Sequence, residues 1–91
     1  MLYIFFILSL CNASNDKSID FLLDAETFML LEEYSSAEKK YIQALNYSPN
    51  NTSILISLYE ASLYQGKINS AEKYIYKAYI LTAQILWKKY P

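Results

Sequence analysis

Ser36-Ala-Glu-Lys-Lys-Tyr-Ile-Gln-Ala44 returns thirty-four residues later as Ser70-Ala-Glu-Lys-Tyr-Ile-Tyr-Lys-Ala78, and that offset organises the chain. The same shift pairs Tyr34 with Ile68, Ala37 with Ala71, Tyr41 with Ile75 and Ala44 with Ala78. Ala37 and Ala44 stand two helical turns apart with Tyr41 between them, so all three share one face of a helix. Small residues on such a face let a second helix approach closely, and extra bulk at a close crossing costs about 1–3 kcal/mol. One copy by itself is an ordinary amphipathic helix. Two copies in register at a period of thirty-four residues indicate a helix-turn-helix repeat.

Working outward from the repeat, the turn and cap residues fall at matching intervals. Ser18 is placed to cap a first helix running to about Glu33, with Asp20 in its favourable first turn and Phe21, Leu22, Ala25, Phe28 and Met29 on an apolar stripe. Ser35-Ser-Ala-Glu38 reads as a capping box opening a second helix, which ends near Tyr47 ahead of Pro49-Asn50-Asn51. Asn51 or Thr52 caps a third helix that Gly66 closes, and Asn69-Ser-Ala-Glu72 forms the second capping box. Beyond Ala78 the copies diverge, because Ala83 stands where the first copy has Pro49. The last helix is therefore expected to continue to about Tyr90, with Tyr76, Tyr79, Ile80, Ala83, Trp87 and Tyr90 on one stripe and Lys88 and Lys89 at its negative end.

Composition bounds the function. Ninety-one residues make one small domain whose core sustains roughly 3–5 kcal/mol, so a partner, an anchor or self-association is expected. A formal net charge of −1 gives no case for nucleic acid. The charges are sorted along the chain: acidic from Asp16 to Glu38 except Lys17, basic from Lys39 to Lys89 except Glu60 and Glu72. Solvated helix faces account for this, as does a preference of each end for an oppositely charged neighbour. There is no His and no Arg, and Cys11 is the only cysteine. The usual general base, a bidentate phosphate fork and an intramolecular disulfide are thereby removed, and no spacing assembles the carboxylates and lysines into a catalytic or metal site. The chain reads as non-enzymatic, with no cofactor and no metal.

Met1 to Leu10 is apolar except for Ser9 and stops at Cys11 before the polar run Asn12-Ala-Ser-Asn-Asp-Lys-Ser18. A bilayer span takes about twenty apolar residues, so this length suits the hydrophobic region of a secretory signal instead. Leu8-Ser9-Leu10-Cys11 resembles a bacterial lipobox, and the resemblance implies that Cys11 is lipidated and anchors the mature protein to a membrane, at a periplasm or cell surface. An ordinary signal peptide cut near Asn12-Ala-Ser14, and an apolar helix docked on the repeats, are the competing accounts.

From about Ser18 to Ile85 the chain resembles two tetratricopeptide repeats. Phe21, Ala25, Phe28, Tyr34, Ala37, Tyr41, Ala44, Leu45 and Pro49 carry the likeness in the first, and Leu55, Leu58, Tyr59, Leu63, Gly66, Ile68, Ala71, Ile75 and Ala78 in the second. Glu32 stands where the first repeat of that pattern has glycine. The resemblance implies an all-α fold of tandem antiparallel helix hairpins, a fragment of an α-solenoid with an extended C-terminal helix. Residues 1–17 form the signal-like segment and linker, 18–51 and 52–85 the two repeats, and 86–91 the helix end.

The resemblance further implies that the first helix of each pair lines a concave surface that binds a peptide segment of another protein. By position that surface takes in Ile19, Leu22, Glu26, Met29 and Leu30 from the first repeat and Ser53, Ile56, Glu60, Leu63 and Tyr64 from the second. Acidic and apolar groups stand where some members carry a carboxylate clamp. The expected ligand is therefore an apolar or basic segment, gripped by Leu22, Glu26, Met29, Ile56, Glu60 and Tyr64. A structural module of a larger assembly, or a homo-oligomer, is the alternative.

Overall fold

The computed structural model describes residues 17–89, so Cys11, the apolar run before it and Tyr90 lie outside the described residues. Four helices fill the described chain: α1 over Lys17–Leu30, α2 over Tyr34–Tyr47, α3 over Thr52–Tyr64 and α4 over Ile68–Lys89. The fold is all-α, and each helix packs against the next in sequence, α1 on α2, α2 on α3 and α3 on α4. Two hairpins, α1/α2 and α3/α4, are thus held together through α2 and α3.

The repeated alanines sit where the spacing places them. Ala37, Ala44, Ala71 and Ala78 are all buried, where a side chain of one methyl group lets helices approach closely. Leu22, Ala25, Met29, Tyr41, Ile54, Leu58 and Ala61 join the first two alanines in one core, with Phe21, Phe28, Tyr34, Leu45 and Tyr74 packed around it. Tyr34 stacks on Tyr64 with ring centroids 4.6 Å apart, and Phe21 stacks on Tyr47 at 5.9 Å.

Both hairpins turn through the same backbone motif. Glu32 N–H donates to Met29 O at 3.0 Å and Glu33 N–H to Phe28 O at 2.8 Å; thirty-four residues on, Gly66 N–H donates to Leu63 O at 2.9 Å and Lys67 N–H to Ser62 O at 2.9 Å. This is the Schellman closure, which needs a left-handed residue at the turn. Gly66 supplies it at φ 76°, and Glu32 adopts the same region at φ 60°. The first helix consequently ends at Leu30, ahead of the Glu33 expected from its apolar stripe.

The capping boxes are not formed. The turn feeds straight into α2, which starts at Tyr34 with Glu33 as its cap and no side-chain cap bond, so Ser35 is already inside the helix. The second box shifts in the same way, because α4 starts at Ile68 and Asn69 lies within it. Freed from capping, Glu38 accepts hydrogen bonds from Gln65 Nε2 and from Lys67 Nζ, each at 3.0 Å, and ties α2 to the turn of the second hairpin. The cap of α3 does form: Asn51 Oδ1 accepts from the backbone N–H of Ser53 at 2.9 Å and of Ile54 at 3.3 Å. Nothing interrupts α4, which runs for 22 residues with Lys88 and Lys89 in its last turn.

Candidate functional site

The six residues expected to grip a ligand do not share one environment. Leu22 and Met29 belong to the core, and Glu26 is buried with its Oε1 accepting the Tyr41 hydroxyl at 2.5 Å. A ligand has no access to these three, and their assignment to an open groove is corrected: in the folded chain they lie under the second hairpin. Ile56 and Tyr64 are exposed, and Glu60 is half-buried. Cys11 lies outside the described residues.

The reason is visible when the two copies are compared position by position. Leu22 is 1% exposed and its repeat-equivalent Ile56 42%; Met29 is 6% and Leu63 39%; Tyr41 is 1% and Ile75 37%. Equivalent side chains point the same way in both hairpins. In the first they meet the second hairpin, and in the second they meet solvent. Leu22, Glu26 and Met29 were assigned to a peptide surface because the repeat places them beside Ile19 and Leu30, but that arc of the helix also faces the neighbouring repeat.

What remains open on the first helices is a narrower strip. Ile19, Leu23, Glu26 and Leu30 recur at spacings of four, three and four on α1, as do Ser53, Ser57, Glu60 and Tyr64 on α3. Leu23 and Leu30 are exposed, as are Ser53 and Tyr64, while Ile19, Ser57 and Glu60 are half-buried. Leu23 was missed in the sequence reading although its i+4 relation to Ile19 marks it. Only Glu26 on this strip is turned fully inward, through its bond to Tyr41.

The two acids on the strip interact. Burial pushes the Glu26 carboxyl above the usual carboxylate range, the Tyr41 hydrogen bond pulls it down, and the negative charge of Glu60 pushes it up again. Burial likewise raises Glu60. Glu26 Oε2 has no hydrogen-bond partner among the described residues, so the ionised form is poorly compensated there. This arrangement favours positive charge near the strip. Among the described residues no group of acids is placed to hold a metal ion, and no helix is long and apolar enough to cross a membrane.

No family model, no curated protein and no solved structure matches this chain.

Proposed function

We propose that this chain is a small tetratricopeptide-type interaction module that holds an apolar or basic segment of another protein along the open strip of α1 and α3. The observation that carries the reading is the strip itself: Leu23, Leu30 and Tyr64 stand exposed beside Glu60, whose carboxyl is already raised by burial. An incoming Lys or Arg relieves the repulsion between Glu60 and Glu26, while apolar side chains cover the leucines and Tyr64. The groove residues are thus Ile19, Leu23 and Leu30 with Glu60 and Tyr64, and Glu26 acts from below through its charge.

A photo-crosslinking amino acid at Leu23 or Ser53, compared with one at Gln43 on α2, tests the reading in membranes of the native cell. Partner proteins captured at the first two positions, lost with Glu60→Lys and absent from Gln43, are the expected result. Equal capture at all three positions refutes it. Tethering through a lipidated Cys11 belongs to the same proposal and rests on the lipobox-like run. A Cys11→Ala chain that still takes up a clickable palmitate excludes that anchor.

A further inference from the structure

The two ends of the helix stack differ in chemistry. Ile54, Leu58 and Tyr74 hold the second hairpin to the core, and their repeat-equivalents in the first hairpin are Asp20, Asp24 and Lys40. Lys40 Nζ lies 3.8 Å from Asp24 Oδ2 and 5.6 Å above the Phe21 ring, so this end is closed by charge. The far end is apolar. Ile56, Leu63, Ile68 and Ile75, equivalents of Leu22, Met29, Tyr34 and Tyr41, are all exposed there.

The open end continues along α4. One apolar stripe of that helix, Ala71, Tyr74 and Ala78, is turned inward. A second stripe, Ile68, Ile75, Tyr79 and Leu86, recurs at intervals of seven, four and seven and is exposed throughout, with Tyr76 and Trp87 beside it. Ile75, Tyr76 and Tyr79 line an open groove with Asn69, Glu72 and Lys73.

We infer that this face is a homodimer interface: two copies meet open end to open end about a two-fold axis near Tyr79, with α4 antiparallel to α4. Area is the first argument for a second copy. Tyr76, Tyr79 and Trp87 are two-thirds to three-quarters exposed, and aromatic side chains of about 150–250 Å² each leave roughly 400 Å² uncovered on these three alone. That is half of the ~800 Å² per partner of a standard interface, before the aliphatic residues are added. The second argument is the polar end, which cannot serve as the occupant. A head-to-tail stack sets Asp20 and Asp24 against Ile68 and Ile75, burying carboxylates on an apolar face.

Charge fixes the direction of the pair. With α4 antiparallel and centred on Tyr79, the two Glu72 side chains stand about 20 Å apart along the helices. A parallel pair opposes Glu72 to Glu72. This inference does not use the peptide-binding reading and stands or falls separately from it.

Sedimentation velocity of the full chain carrying Cys11→Ser, over a range of concentrations, tests it. A dimer is expected, with Tyr79→Glu weakening association at least about a hundredfold while the helical circular dichroism and melting are kept. Tyr79→Cys in the same background oxidises to a covalent dimer, whereas Gln43→Cys does not. If Tyr79→Glu fails to fold, Tyr76→Lys takes its place. A chain that stays monomeric, or a dimer that survives both aromatic substitutions, overturns the inference.

Discussion

Replacing Glu32 by glycine should stabilise the protein, and replacing Gly66 should do the reverse, because both occupy the left-handed position of the same turn. Glu32 has φ 60° and Gly66 φ 76°. A side chain in that region costs about 1–2 kcal/mol, and glycine gives back about 0.4–1 kcal/mol through the greater freedom of the unfolded chain. The conformational gain for Glu32→Gly is therefore about 0.5–1 kcal/mol. A second gain comes from removing a negative charge at the C-terminal end of α1, where the helix dipole is also negative, at about 0.3–1 kcal/mol. Glu32→Gln separates the two, since it removes the charge and keeps the side chain. A Cβ at Gly66 meets nothing within 4 Å, so Gly66→Ala carries only the backbone cost, about 1 kcal/mol of destabilisation. Urea melts are the assay, with midpoints moving and m unchanged, and each kcal/mol is worth about 4–8 °C in a thermal melt of this size. If Glu32→Gly melts no higher than Glu32→Gln, the turn is not the strained Schellman closure described above.

Three further predictions follow the same geometry. Leu22→Ala should cost about 2–5 kcal/mol, because it empties a core site, whereas Ile56→Ala at the equivalent position should cost under about 1 kcal/mol in the monomer; equal losses in urea melts contradict the difference between the two ends. Glu26→Gln should stabilise the chain at neutral pH by about 1–3 kcal/mol, since it removes a carboxylate charge that burial disfavours. The Glu26 carboxyl is raised on folding, so the stability it contributes is complete below the ordinary carboxylate range and is lost as pH rises through the folded value; Glu26→Gln should flatten that decline, and an unchanged pH profile of the melting temperature rules the mechanism out. Asn51→Ala removes both side-chain cap bonds of α3 and should cost about 1 kcal/mol, with Asn51→Asp retaining most of it, measured by the urea midpoint.

Much of the fold is legible in residues that act locally. Pro49 with Asn50 and Asn51 stops α2 and caps α3 whatever surrounds them, and Gly66 ends α3 because its backbone alone tolerates the turn without strain. Ala37, Ala44, Ala71 and Ala78 declare the faces that are buried. The capping boxes misled because Ser35 and Glu38 satisfy a short-range pattern that the Schellman turn pre-empts: once Glu33 is held by Phe28 O, the next helix has already begun. Glu38 is then better placed to bridge to Gln65 and Lys67, 27 and 29 residues away in the chain, and no local pattern reports that.

By itself the sequence determined the thirty-four-residue period, the helix pairs it generates, and the places where the chain must turn. Only the tertiary structure decided which copies of a repeated side chain are covered. Leu22 and Ile56, or Tyr41 and Ile75, are matched in position and apolar character, so periodicity treats them alike. Burial, however, is a property of what stands opposite: the first hairpin has the second against it, and the second has an open end. The same asymmetry turned Glu26 from a groove residue into a buried acid on Tyr41 and left the aromatic stripe of α4 facing outward.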